Sequence, residues 1–342
     1  MKAVGYLKNL PISDAESLID VEVPMPQAGP NDLLVEIAAV AVNPVDTKIR
    51  KSRPAADGAP VVLGWDAVGH VRALGPEVKG FSVGDRVWYA GDLTRMGSNA
   101  QFQAVDHRIV SRAPTSLSDA EAAALPLTAI TAWEMLHDRL QVNRDRRPVS
   151  LLVTGAAGGV GSILVQLARQ CPHLTVIGTS SDPDGAGGDW LRQLGAHHVI
   201  NHREPLAPQV AALQTQGVAP VRHVASLTHT PQHFKDLVEL LEPQGQLALI
   251  DDFSAGDIDV MALKRKALSL HWELMFTRSL FTTHDIAEQG RLLAEVARLV
   301  DAGQVRTTLA EVVGPINAAT LRRAHELQER QRQQGKLVLQ GF

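Results

Sequence analysis

Two textures in one chain of 342 residues predict an α/β protein in which a β-rich domain is joined to a doubly wound parallel sheet. Up to about residue 124, short apolar runs are cut by Pro and Gly, and beyond it strand-like and helix-like segments alternate. The run LLVTGAAGGVGSILVQLARQ (151–170) marks the change most sharply, because it breaks on four glycines and resumes with helical spacing. The length also suits two domains better than one core.

The β-rich part reads as strands at 33–42, 61–75, 85–90 and 100–106, separated by Pro24, Pro26, Gly29-Pro30, Gly75-Pro76 and Gly80. Ser118 and Glu121 have capping-box spacing ahead of an Ala-rich helical stretch (116–136), which places a domain boundary near 124. Strand 149–155 then leads to helix 160–170, strand 174–180 to helix 189–195, and strand 198–200 follows. Strands 222–227 and 245–251 flank a helix at 233–241. Such alternation implies right-handed crossovers and a parallel sheet. An apolar strand at 267–276, a long helix at 284–302 and a last strand at 335–342 complete the chain.

Bulk properties narrow the partners. Apolar residues make up 45% and the formal net charge is -4, so the chain is expected to be soluble, without the basic field that nucleic acid or an anionic membrane surface would need. The opening MKAVGYLKNLPISD lacks a signal-peptide pattern, and no apolar run reaches the ~18 residues of a membrane span, which points to the cytoplasm. Cys171 is the single cysteine, so an internal disulfide and zinc sites built on two or more thiolates are excluded.

Gly155, Gly158 and Gly161 fall between a buried-type strand and a helix. A pyrophosphate needs this arrangement: a tight turn, a backbone that a Cβ does not shield, and free N–H groups at the positive end of a helix. No Gly-Lys-Ser/Thr follows, so the loop is not that of a nucleoside triphosphatase. The next strand ends Gly178-Thr179-Ser180-Ser181, where an NAD site would carry an Asp or Glu for the ribose hydroxyls. Small hydroxyls there favour the 2'-phosphate of NADP(H), with Asp182 just beyond as the contrary feature.

Across nearly its whole length the chain resembles the medium-chain dehydrogenase/reductase superfamily, in particular its zinc-independent quinone oxidoreductase branch related to zeta-crystallin. The resemblance lies in AVNPVDTKIR (41–50), LGWDAVGHV (63–71), VGDRVW (83–88), ALPLTAITAWE (124–134), GAAGGVGS (155–162), LGAHHVIN (194–201) and GKLVLQGF (335–342). LHWELMFTRS (270–279) looks like the zinc-type alcohol dehydrogenase-like subfamily. The resemblance implies a GroES-like catalytic domain at 1–124, a Rossmann NADP(H)-binding domain at 125–276, and a return to the catalytic domain at 277–342. It places Asn43 where zinc-using relatives have a Cys ligand, and Trp65-Asp66 where they have a His-Glu pair. GDLTRMGSNAQF has no cysteine where many relatives bind structural zinc, so no metal is expected.

Without zinc as Lewis acid, reduction of quinones or α,β-unsaturated carbonyls is the natural chemistry, since those acceptors delocalise the developing charge themselves. Asn43, Lys48 and Asp66 are the expected catalytic residues. The expected cofactor contacts are Gly155, Ala156, Gly158, Gly159, Val160 and Gly161 in the loop, and Ser180 and Ser181 at the next strand's end. The resemblance adds Asn43, Thr128, His202 in place of a Tyr beside the adenosine phosphate, and Arg330 (or Arg332) for the 2'-phosphate; Phe253 and Lys336 complete the set. Asp46 is read mainly as a backbone-fixing residue, Trp65 as core, Cys171 as inert packing, and the thirteen histidines as mostly surface residues with no H-x-x-x-H pair or other metal spacing expected among them. A homodimer through strand 267–276 is expected, because an apolar edge strand needs cover. The competing readings are a nucleotide-binding protein with a structural or regulatory role, and a zinc-dependent alcohol dehydrogenase.

Overall fold

The computed structural model of the protein describes residues 1–254, 256–330 and 334–342. The chain divides into two compact units, Met1–Ile130 with Phe276–Phe342, and Thr131–Met275.

The first unit begins with β1 (Lys2–Tyr6), β2 (Ile19–Glu22) and β3 (Asp32–Ala41), followed by α1 (Pro44–Ser52). Pro44 opens α1 because its missing N–H is one that a first helical turn leaves unpaired anyway. Then come β4 (Val61–Val62), β5 (Ala67–Leu74), β6 (Arg86–Tyr89), β7 (Phe102–Asp106) and β8 (Ser111–Arg112). The Ser118–Glu121 capping box forms at the head of α2 (Asp119–Ala123), and α3 (Pro126–Trp133) follows. The expected junction at 124/125 thus lies inside the first unit. Two bonds hold this stretch there: Thr308 Oγ1 donates to the Ala124 carbonyl (3.2 Å) and the Leu127 N–H donates to Asp66 Oδ1 (2.7 Å).

The second unit opens on a π-helical turn, Glu134–Arg139. It continues with β9 (Val149–Thr154), α4 (Gly159–Arg169), β10 (Leu174–Ser180), α5 (Ala186–Gln193), β11 (His198–Asn201), α6 (Leu206–Thr215), β12 (Val221–Ser226), α7 (Thr230–Leu240), β13 (Leu241–Leu249) and β14 (Ser269–Trp272). The sheet order is β11-β10-β9-β12-β13-β14 with parallel pairing throughout. All six residues of β9 are buried, as a central parallel strand covered on both faces requires. The winding reverses between β9 and β12, so the carboxyl ends of these strands form the switch point where doubly wound sheets bind ligands.

Two local expectations change. The strand foreseen at 267–276 is cut to Ser269–Trp272, because β13 offers partners only from Gln246 to Leu249, and Glu273 then turns its carboxylate inward to Arg139 Nε at 2.8 Å. Helix α6 escaped the pattern because Pro208 interrupts it; the proline sits in the first turn, where it removes no intrahelical bond.

The chain then adds α8 (Thr277–Leu280), α9 (Glu288–Asp301), β15 (Leu309–Gly314), α10 (Ala318–Glu329) and β16 (Lys336–Gln340) to the first unit. Its main sheet runs β15-β16-β3-β5-β6-β8, with β7 also paired to β3. β16 lies antiparallel to β3, with Val338 opposite Ala41 and Gln340 opposite Ala39. Among the described residues no helix is long and apolar enough to cross a membrane.

Candidate functional site

Each unit holds one constellation of the expected residues. In the second unit, the chain leaves β9 through Gly155, whose φ of +64° is a left-handed value that favours glycine. Gly161 answers a close approach: a Cβ there would lie 2.5 Å from the Ala156 Cα and carbonyl oxygen. Gly158 is the N-cap of α4 and has no side chain to satisfy the first-turn N–H groups, which leaves them for an anion. Residues 157–160 are half-buried while the strand before and the helix after are buried, so the backbone of Gly158 and Gly159 reaches the surface. This cradle fits a pyrophosphate.

Ser180 and Ser181 stand at the carboxyl end of β10, with the Asp182 N–H donating to Ser180 Oγ at 3.1 Å. His202 follows β11 and is tied to β10 by its N–H donating to the Ser180 carbonyl (3.2 Å). Burial, His233, Arg203 and His229 all push the His202 imidazole below the usual histidine range. His229 and His233 form an H-x-x-x-H pair at the start of α7, which corrects the expectation that the histidines contain no such pair. Phe253 packs its ring against Trp272, with centroids 5.3 Å apart.

In the first unit, Asn43, Asp66 and Lys336 meet inside the protein and all are buried. Lys336 Nζ donates to the Val42 carbonyl (3.1 Å), to Asp66 Oδ2 (2.9 Å) and to Asn43 Oδ1. Asn43 Nδ2 donates to Asp66 Oδ2 (2.8 Å), and the Leu127 N–H caps Asp66 Oδ1. Every partner of Asp66 in this set is a donor, which calls for the acceptor-only carboxylate form. Burial pushes the carboxyl up, and Lys336, Asn43 and Leu127 pull it back. Asp46, on the buried face of α1, accepts the Asn43 N–H at 2.8 Å, and burial pushes its carboxyl up to about 7.

The remaining expected residues are dispersed. Lys48 lies on the exposed face of α1, whereas Asp46 lies on the buried one. Thr128 is buried and its hydroxyl donates to the Leu125 carbonyl at 3.0 Å. Arg330 pairs with Glu326 at 2.5 Å on the surface, and Arg332 lies outside the described residues. Trp65 is core, its indole N–H donating to the Asp92 carbonyl (3.2 Å). Two of the thirteen histidines, most of which were read as surface residues, are buried: His223, held 2.6 Å from Asp145, and His325, which burial drives down to about 3. The sequence reading also missed the buried Glu273, whose carboxyl is pushed up by burial beside Glu134 and Arg139. A glutamate at a strand's end gives no sign of whether it faces water or the interior.

The alcohol dehydrogenase GroES-like domain family matches residues 29–114, and the zinc-binding dehydrogenase family matches 194–339. A zinc-type alcohol dehydrogenase-like protein of Staphylococcus aureus (strain MSSA476) is 36% identical over 342 residues, covering 99% of both chains. A crystal structure from Rhizobium etli CFN 42, named for zinc-dependent alcohol dehydrogenase, is 53% identical with a TM-score of 0.95, covering 100% of this chain and 98% of that one. The Escherichia coli quinone oxidoreductase complexed with NADPH is 25% identical with a TM-score of 0.80, covering 99% and 100%.

The zinc in these names does not fit the residues present. Protein zinc is held by thiolate, imidazole and carboxylate. Here Asn43 has both ends of its amide engaged, Trp65 offers no ligand atom, and Asp66 is already bound by Lys336, Asn43 and Leu127. Among the described residues no group of three or more His, Cys, Asp or Glu side chains is placed to hold a metal ion. With full-length relatives, two matching domain families and this fold in agreement, the chain belongs to the medium-chain dehydrogenase/reductase superfamily of oxidoreductases, as a zinc-type alcohol dehydrogenase-like member.

Proposed function

We propose that the protein is a zinc-independent reductase that uses NADPH to reduce quinones or α,β-unsaturated carbonyls. The observation that carries this reading is the commitment of Asn43 and Asp66 to Lys336, which leaves a Lewis-acid metal no ligand set at the positions its relatives use. Acceptors that spread negative charge over a ring or an enone do not need that metal. The glycine cradle of α4 would hold the pyrophosphate, and the hydroxyls of Ser180 and Ser181 would donate to the 2'-phosphate where a carboxylate would repel it. When bound, the nicotinamide supplies the hydride. The Asn43 amide is held in one orientation by its hydrogen bonds, and the proton completing the reduction comes from solvent.

The test is a panel of quinones, enones and aldehydes offered with NADPH and with NADH, with metal content measured on the same protein. The expected result is NADPH oxidation with quinones or enones that chelators do not affect. Nucleotide binding without turnover of any acceptor would favour a structural or regulatory role, and activity that follows bound zinc would favour alcohol dehydrogenation.

We also infer a homodimer. β14 is the edge of its sheet and carries Trp272 at 53% exposure, followed by Leu274 at 51%. Pairing with the β14 of a second copy about a twofold axis would cover both. Light scattering should give twice the chain mass; a monomer sinks this inference.

A further inference from the structure

Lys336 was expected to contact the cofactor; the structure shows what its side chain holds within the protein. An ammonium has three N–H donors, and all three of Lys336 are spent inside the protein, on Val42, Asn43 and Asp66. Strand register sets this position. β16 runs antiparallel to β3, and Val42 N–H donates to the Leu337 carbonyl (3.0 Å), so the first residue of β16 falls opposite Asn43. The acceptors gathered around Nζ are a carboxylate oxygen, an amide oxygen and a backbone carbonyl, the ligand types that hard cations take. A second carboxyl group, that of Asp46, lies next to them and accepts the Asn43 N–H. Removal of the ammonium would leave Asp66 buried and uncompensated, a state that costs far more than an exposed ion pair.

We propose that the Lys336 ammonium is a resident cation that occupies this centre in place of a metal ion, orienting Asn43 and neutralising Asp66. The chain thereby carries as a covalent side chain the positive charge that zinc-using relatives borrow from solution. Lys336 is a positioning residue: it fixes the Asn43 amide through Oδ1, while Asp66 fixes it through Nδ2. The zinc-free part of the proposed function rests on the same geometry, but acceptor reduction and cation occupancy are read in separate experiments, so either can fail alone.

The test compares wild type, Asp66→Asn, Lys336→Ala, and Lys336→Ala combined with Asp66→Asn. Each is incubated with Ca2+ or Mn2+, cations that take such oxygen donors, and metal content, Mn2+ electron paramagnetic resonance and thermal unfolding are followed. Wild type should retain less than ~0.1 metal per chain, and Lys336→Ala should take up about one, with a metal-dependent rise in Tm that the double variant lacks. The proposal is overturned if wild type binds one equivalent of metal that Asp66→Asn removes, or if folded Lys336→Ala takes up none. Should Lys336→Ala fail to fold, the wild type decides with 15N-lysine NMR. A slowly exchanging buried ammonium signal that Ca2+ leaves unchanged supports the proposal; absence of that signal, or its displacement by Ca2+, overturns it.

Discussion

The glycine loop of the second unit and the Lys336 centre of the first are built on opposite principles. The loop works by omission: no Cβ at Gly161, where one would meet Ala156 at 2.5 Å, and no side chain over the start of α4. The centre works by accumulation, packing an ammonium, a carboxylate and an amide into a space where none is exposed. The first is contiguous in sequence; the second joins residues 43, 66 and 336 through strand pairing. A site of omissions should tolerate little addition, and a site of balanced charges should tolerate little removal.

The largest effect should come from breaking the balance. Lys336→Met keeps the length but strands Asp66, and should cost about 3–5 kcal/mol in urea denaturation; a loss below ~1 kcal/mol would mean that the charge is not what holds the centre. Next is a pH effect from Asp46. Its carboxyl is raised to about 7 in the fold from an ordinary value near 3.8, so the fold prefers the protonated form. That contribution is complete below about pH 4 and is lost as pH rises through 7, a decline of about 2–4 kcal/mol. Asp46→Asn should flatten the stability profile between these limits, and an unchanged slope would reassign it.

Additions to the loop rank lower. Gly161→Ala should cost about 1–3 kcal/mol through the clash with Ala156 and abolish nucleotide binding measured by calorimetry. Wild-type affinity in a folded variant would show that the close approach is dispensable. The smallest effect is one of preference: Ser180→Asp should shift the NADPH-to-NADH affinity ratio about 10- to 100-fold toward NADH, since a charged group is then lost or gained as a partner. No change in the ratio would remove Ser180 from the phosphate site.

Legibility followed the same division. GAAGGVGS and the Ser180 strand end were readable because their physics is local: backbone conformation, a helix end, and the side chain at one strand terminus. Asn43, Asp66 and Lys336 were each singled out, Asn43 and Asp66 as catalytic groups and Asn43 and Lys336 as cofactor contacts, but their bonds to one another were not foreseen, since nothing in the one-dimensional pattern says that one bonds to the others. Nothing in the sequence marked His223 and His325 as the buried histidines, because a histidine's burial depends on neighbours far along the chain. Trimming the edge strand to Ser269–Trp272 depended on how much of β13 was exposed to it.

The amino-acid order by itself determined the α/β class, the alternation that winds a parallel sheet, and the omissions that open a phosphate cradle, because periodicity and missing side chains act over a few residues. Only the tertiary structure decided that Lys336 closes the Asn43–Asp66 centre. A buried charge is tolerated only where its counter-charge is delivered, and that delivery depends on the register of β16 against β3, two strands almost three hundred residues apart.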